Sequence, residues 1–139
     1  MRVTVDNNIV VSAFLWGGNP RRVLNAARSG AITIFTSPAL IAELTDVLFR
    51  TRFQPRIAEV GSSAARMLDE YQAFATIVDA PDIDPVINRD PDDDAVLACA
   101  LASESDVIVS GDKDVLDLTQ RGHIRIPTAT ELLSELGLK

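Results

Sequence analysis

Four acidic positions in this chain stand where carboxylates could bind metal ions together. Asp6 directly follows the apolar run RVTV, and Asp112 follows the run VIVS and Gly111. If both runs are neighbouring parallel strands, the two acids meet at the edge formed by the carboxyl ends of the strands, where such sheets bind ligands. An Asp in this place is also an ordinary turn former or helix N-cap. The pair therefore carries more weight than either residue alone.

The two remaining positions lie on predicted helices. Ser37 followed by Pro38 predicts a helix start, and on that helix Glu43 borders the apolar stripe whereas Asp46 points away from it. The acidic run 90–94, DPDDD, opens another helix, whose first N–H groups and dipole stabilise carboxylates. Capping explains one or two of these acids, and a bound cation would relieve the repulsion among the others.

The donor atoms available to such a site are almost all oxygens. Oxygen-rich clusters suit the hard cations Mg²⁺ and Mn²⁺, whereas zinc sites prefer Cys and His. The chain has one Cys, Cys99, and one His, His123, which excludes a His-pair metal site. Cys99 lies within the run AVLACALA, and we predict a buried thiol that packs as a small hydrophobic group.

Strands and helices must alternate along the chain to position these acids. The β-branched runs predict five strands, namely RVTVD (2–6), ITIF (32–35), ATIV (75–78), VIVS (107–110) and IRI (124–126). Helical periodicity falls at about 20–29, 38–50, 57–73, 93–104 and 128–136, and the Pro- and Asp-rich segment 79–92 is predicted to be a loop. This order predicts an α/β fold with a mostly parallel sheet of about five strands and helices on both faces.

The length and composition of the chain limit its number of domains, its location and its affinity for nucleic acid. We expect the 139 residues to form a single domain, 1–139. No stretch of about 18 apolar residues could span a membrane and the start of the chain does not resemble a cleavable signal, so we expect a cytoplasmic protein without a membrane partner. The net charge of −7 argues against broad attraction to phosphate backbones, and a nucleic-acid function must answer that objection.

Four motifs occur in the order typical of one family. With Asp6-Asn7-Asn8 near the start, Glu43 in IAELTDVL, Asp94 opening DAVLACALA and Asp112 in VIVSGDKDVLDL, the sequence resembles PIN-domain proteins, in particular their bacterial toxin-like branch. The similarity extends from Met1 to about Pro127, and its most specific part is the unit from Asp94 to Asp112. Asn7 departs from the Thr or Ser that the family commonly has there.

The resemblance implies a fold, a reaction and a set of residues. The fold would be a three-layer α/β/α sandwich, and Asp6, Glu43, Asp94 and Asp112 would be the catalytic, metal-binding acids for Mg²⁺ or Mn²⁺. The run Asp92-Asp93-Asp94 leaves the third acid open between Asp94, whose spacing to Asp112 fits best, and Asp93. Asn8 and Ser110 match polar positions that orient metal ligands. The protein would be a metal-dependent ribonuclease and the toxin of a toxin-antitoxin pair, inhibited by a small antitoxin and assembled as a homodimer or higher homo-oligomer.

We hypothesise that a metal-bound water attacks the RNA phosphate in line, without a covalent enzyme intermediate. Bound cations would also reverse the local field of the acids, which answers the objection from net charge. Phosphate contacts could then come from arginines, for which Arg50, Arg52 and Arg56 are the best candidates ahead of Arg21 and Arg22. For Trp16, core packing or contact with a partner is favoured over base stacking.

Other classes of protein share parts of this pattern. A phospho-acceptor receiver domain is also an α/β domain with an acidic Mg²⁺ pocket, and Asp79 with Lys113 could match its parts, but it gives Glu43 and the run 90–94 no role. A haloacid-dehalogenase-like phosphatase would need an acid at position 8, where the chain has Asn8. A catalytically inactive PIN-fold module that binds RNA or protein is the remaining alternative.

Overall fold

The computed structural model describes residues 1–80, 91–111 and 124–138, and at 91–93 it describes the backbone alone. Within these residues four strands form one parallel sheet in the order β3-β2-β1-β4. The strands are β1 (Arg2–Val5), β2 (Thr33–Thr36), β3 (Ala75–Ile77) and β4 (Val107–Val109). The predicted α/β class and the parallel sheet are confirmed, and the sheet has four strands where about five were predicted.

The fifth predicted strand, IRI at 124–126, makes only one parallel bridge, between Val107 and Arg125. The segment lies beside β4, since Ile108 N–H donates to the Arg125 carbonyl (2.9 Å) and Ser110 N–H donates to the Pro127 carbonyl (3.3 Å). Pro127 has no N–H to offer in return, and a helix begins two residues later, so the pairing stops before a ladder forms.

The sheet is covered by helices that mostly follow the predicted order. They are α1 (Asn7–Leu15), α2 (Gly18–Arg28), α3 (Pro38–Leu48), α4 (Gln54–Glu59), α5 (Ala64–Phe74), α6 (Pro91–Ala102) and α7 (Ala129–Leu136), with a 3-10 turn at Thr51–Phe53. The single helix predicted over 57–73 is wrong. Gly61, at φ +70°, lies in the turn after α4, and the Ser63 side chain then caps α5 by accepting from Arg66 N–H.

Helix α1 was not predicted, although it follows the first candidate acid. Six of its nine residues are buried, so apolar side chains surround most of the helix and leave no amphipathic stripe to recognise. Its sequence, NNIVVSAFL, is also rich in the β-branched residues that favour strands. The burial of the helix, rather than its local propensity, accounts for its formation.

The central strand β1 separates two apolar clusters. Val3 and Val5 belong to the larger cluster, whereas Thr4 faces the opposite side, where α6 packs. There the Thr4 hydroxyl bonds to the Ser105 hydroxyl (2.8 Å) and to the Cys99 sulfur (3.9 Å). Cys99 is fully buried, as predicted. None of the described helices has both the length and the apolar character needed to cross a membrane.

The Cys99 thiol should react slowly in the folded protein. Burial raises its pKa to about 11, so at pH 8 it carries far less thiolate than the unfolded chain. We predict that alkylation of Cys99 is at least about 100-fold slower in buffer than in denaturant. Timed mass spectrometry with a thiol reagent measures both rates, and similar rates would contradict the buried position.

The first turn of α7 should make stability depend on pH. Thr128 and Glu131 form a reciprocal capping box, and the hydrogen bond from Thr128 N–H lowers the pKa of Glu131. A lowered folded pKa stabilises the protein above the ordinary carboxyl pKa, and this stabilisation is lost as pH falls through the folded value. We expect Glu131→Gln to be less stable than the parent at pH 7 and to approach it at pH 3, as measured by urea unfolding.

Candidate active site

The carboxylate of Asp6 lies at the junction of β1 and α1. Asp6 is the N-cap of α1, and its Oδ1 accepts from the backbone N–H of Asn8 at 3.4 Å. Its own N–H donates to the Val109 carbonyl at 3.0 Å, which continues the pairing with β4. The residue is only 5% exposed. A largely buried carboxylate thus faces the positive end of a helix.

The neighbouring strand β4 supplies the second fixed partner of this carboxylate. Val5 pairs with Val109, so the next residues, Asp6 and Ser110, leave the sheet side by side. The Ser110 hydroxyl, which is fully buried, donates to Asp6 Oδ2 at 2.9 Å. Two donors therefore hold the two oxygens of Asp6 in one orientation, which offsets part of the cost of burying the charge.

Asn7 joins the start of α1 to the helix that carries Glu43. Its Nδ2 donates to the Leu40 carbonyl, in the first turn of α3, at 2.8 Å, and the residue is buried. Glu43 is three residues beyond Leu40 and therefore on the same side of α3. Glu43 is partly buried, whereas Asp46 is 78% exposed and contacts Arg50 at 3.6 Å. The expectation that Asp46 is a surface residue agrees with this.

Helix α6 brings Asp94 towards the same edge of the sheet. The Cys99 sulfur contacts Thr4, and the Ser103 carbonyl accepts from Arg2 Nε at 2.8 Å, so α6 runs antiparallel to β1. From Ser103 back to Asp94 the helix rises about 13 Å, the length that β1 needs to reach Asp6. Asp94 is partly buried. The start of α6 therefore lies beside the end of β1.

Part of the predicted acidic set lies outside the described residues. Asp112 follows the last described residue of its segment, Gly111, and the side chain of Asp93 is likewise not described. Within residues 1–80, 91–111 and 124–138, no three His, Cys, Asp or Glu side chains form a group that could hold a metal ion. The described part of the site is therefore Asp6 with Ser110, and the approaching helices that carry Glu43 and Asp94.

The chemistry of the described atoms at this edge fits a hard cation. The donors are carboxylate, amide and hydroxyl oxygens, and Cys99, which could draw zinc, lies inside the protein against Thr4. At this edge, and among the described residues, Asn7 Oδ1 is buried without a hydrogen-bond partner. Asn7 is the first residue of α1, two residues beyond the end of β1. Sequence reasoning missed the contact of Asn7 with α3, because it noted Asn7 only as a departure from the Thr or Ser that the family commonly has there.

The comparisons with known proteins agree with this geometry. The sequence model of the PIN domain matches residues 2–114. The chain belongs to the PIN-domain family. Its fold is similar to that of a chain in the crystal structure of VapBC2 from Rickettsia felis bound to a DNA fragment from their promoter, with a TM-score of 0.62 and 15% identity. That match covers 92% of this chain and 98% of the other. No curated protein sequence matches this chain significantly.

The arginines predicted to bind substrate lie away from Asp6 in this PIN domain. Arg56 Nε donates to the Leu15 carbonyl at 2.7 Å, at the far end of α1, about 13 Å along the helix from Asp6. Arg52 lies over the Phe53 ring and Arg50 contacts Asp46. The described contacts therefore do not bring these side chains to the acidic edge. Asn8 contacts Asp6 through its backbone N–H, and its side chain is exposed.

The geometry also bears on the receiver-domain alternative. Asp79 is exposed and follows β3, which is the edge strand next to β2. Because β2 separates β3 from β1, the end of β3 is about 9–10 Å from the end of β1. The family match and this separation both disfavour a phospho-acceptor pocket built from Asp6 and Asp79.

The hydrogen bond between Ser110 and Asp6 should be worth more than an ordinary hydroxyl pair. We predict that Ser110→Ala lowers the free energy of unfolding by about 1.5–3 kcal/mol at pH 7, and by about 1 kcal/mol in an Asp6→Asn background, because bonds to charged groups are stronger. Urea unfolding of the four proteins measures the difference.

A buried serine with neutral partners provides the control for this double-mutant comparison of Ser110→Ala with Asp6→Asn. Ser105 bonds only to the hydroxyls of Thr4 and Ser103 among the contacts described for its side chain. Ser105→Ala should therefore cost the same amount with and without Asp6→Asn. Equal costs for Ser110→Ala in the two backgrounds would contradict the charge-assisted bond.

Proposed function

We propose that this PIN domain is a metal-dependent endoribonuclease that hydrolyses RNA phosphodiester bonds. The observation that carries the proposal is the buried Asp6 carboxylate, oriented by Ser110 at the end of a parallel strand. Capping of α1 accounts for one oxygen of Asp6, and the burial of this acid at the carboxyl end of a parallel strand, where such sheets bind ligands, supports a functional role as well. The family match supports the same reaction class.

The metal ligands in this proposal are Asp6, Glu43, Asp94 and Asp112, with Asp93 as the alternative to Asp94, and the cation is Mg²⁺ or Mn²⁺. When bound, the cation supplies an activated water and the positive charge that phosphodiester hydrolysis requires. Ser110 and the N–H of Asn8 fix both oxygens of Asp6 in place. Asn7 holds the first turn of α3 against α1, and thereby the backbone that carries Glu43.

The biological role that we propose is that of a toxin restrained by a small antitoxin in the cytoplasm, acting as a homodimer or a higher homo-oligomer. The family and the similarity in fold to a chain of the VapBC2 structure support this proposal. The net charge of −7 gives an unmetallated chain little general attraction for RNA, so binding would require local cations or local arginines.

The direct test is cleavage of a mixed-sequence single-stranded RNA by the purified chain with Mg²⁺, with Mn²⁺ and with chelator. We expect cleavage only with metal, and a loss on the order of 100-fold or more in Asp6→Asn and in Asp112→Asn, because each substitution removes a charged ligand. Cleavage in chelator, or full activity in both variants, would contradict the proposal.

Helix α3 offers a matched pair of substitutions for that assay. Glu43 and Asp46 lie on the same helix, but the first is partly buried and the second is exposed and contacts Arg50. We expect Glu43→Gln to abolish most of the cleavage and Asp46→Asn to retain activity within about 2-fold, since distant surface charges contribute little to a metal site. Equal losses in the two variants would point to net charge rather than to a specific ligand.

A further inference from the structure

An exposed surface of stacked arginines and aromatic rings lies at the far end of α1. Its members are Trp16, Arg52, Phe53 and Arg56, which we call the arginine–aromatic surface. The Arg56 guanidinium lies 4.5 Å from the centre of the Trp16 ring, and that of Arg52 lies 4.7 Å from the centre of the Phe53 ring. Trp16 is 64% exposed, so it does not pack into the core, which was one of the two roles favoured from the sequence.

Contacts with the rest of the protein hold this surface in position. Arg56 donates through Nε to the Leu15 carbonyl and through Nη1 to Glu59 at 3.0 Å, so its guanidinium is fixed against the end of α1. Phe53 is partly buried against the core, and Arg56 follows it by three residues, which places the two side chains on neighbouring positions. Arg56 and Phe53 are therefore held in place.

The chemistry of the surface fits single-stranded nucleic acid better than an apolar partner. A guanidinium stacked on an aromatic ring offers a flat face to a base and N–H donors to a phosphate at the same point. The segment 49–56, FRTRFQPR, contains three arginines and no acid in a chain of net charge −7. Arg50 and Arg56 contact the flanking acids Asp46 and Glu59, whereas the contact described for the Arg52 guanidinium is with the Phe53 ring. Protein–protein interfaces are also enriched in Trp, Phe and Arg, so it is the positive charge of this segment that favours nucleic acid over a protein partner.

The position of the arginine–aromatic surface relative to Asp6 suits an RNA strand whose cleaved bond lies at the acidic edge of the sheet. Helix α1 begins at Asp6 and ends at Leu15, so about 13 Å of helix separates the two sites. A stacked nucleic-acid strand rises about 3.4 Å per nucleotide, so about four nucleotides cover that distance.

We propose that the arginine–aromatic surface binds single-stranded RNA a few nucleotides from the cleaved bond, with a base stacked on Trp16 and phosphates held by Arg52 and Arg56. The assignment of this RNA as substrate rests on the proposed function. The binding itself does not require cleavage, so it can be measured when cleavage is blocked.

Trp16 is the sole tryptophan of the chain, so its fluorescence reports on this surface directly. The experiment titrates a 5′-labelled single-stranded RNA of about 12 nucleotides into the full chain in chelator, recording tryptophan emission and the anisotropy of the label together. We expect saturable quenching of Trp16 with the same midpoint as the anisotropy, and a midpoint that rises with salt because phosphate contacts release counterions.

Single substitutions distinguish the contribution of base stacking to RNA binding from the contribution of positive charge. Trp16→Ala should weaken binding, seen by anisotropy, by about 5- to 100-fold, whereas Trp16→Phe, which keeps a ring, should restore most of it. Arg52→Ala should weaken binding and lower its salt dependence, and the exposed Arg66 on α5 provides the matched control for loss of one charge. Circular dichroism confirms that each variant is folded.

Three outcomes would overturn the assignment. The first is RNA binding by anisotropy with unchanged Trp16 emission, and the second is the absence of any RNA binding. The third is emission that depends on protein concentration without RNA, which marks the surface as a contact between copies of the chain. Failure of the proposed function is a different result, namely no metal-dependent cleavage, and quenching by RNA would stand without it.

Discussion

The rest of this site depends on the burial of one carboxylate. Asp6 leaves the central strand at the point where α1 begins, and the parallel register with β4 places Ser110 against it. Burying a charge is unfavourable unless donors and dipoles compensate, and here a hydroxyl, a backbone N–H and a helix N-terminus do so together. The burial of Asp6 at the carboxyl end of β1 thus depends on contacts from both β4 and α1.

The elements around Asp6 indicate why a divalent cation suits this edge of the sheet. Asn7 fastens the first turn of α3, and the antiparallel course of α6 along β1 directs Asp94 to the same edge. In the site that we propose, a divalent cation relieves the mutual repulsion of these acids by coordinating them. The arginine–aromatic surface then supplies, at a separate place, the attraction for phosphate that an acidic chain otherwise lacks.

Much of the fold can be predicted from local sequence patterns. The features that could not be predicted depend on how elements distant in the sequence pack together. Alternating Val residues identify β1 and β4, and the rule that parallel strands share an edge predicts that the residues following these two strands meet. The contact between Ser110 and Asp6 shows that the ends of β1 and β4 do lie side by side. Helix α1 was not predicted because burial on nearly all sides removes the helical periodicity of its apolar residues. The break at Gly61 was not predicted because the helical spacing of apolar residues continues across it. The contact of Asn7 with Leu40 and the place of Arg56 depend on how distant helices pack, which spacing along the chain does not encode.

The most direct measurement of the central claim is a crystal structure of the chain grown or soaked with Mn²⁺, with anomalous data collected to locate the metal. We predict an anomalous peak within coordination distance, roughly 2.1 Å, of a carboxylate oxygen of Asp6. We also expect Asp112, together with either Asp94 or Asp93, to contribute further oxygen ligands to the metal. The peak should be lost in Asp6→Asn. Well-ordered crystals with Mn²⁺ bound elsewhere, or with Asp6 coordinating nothing at saturating metal, would contradict this prediction.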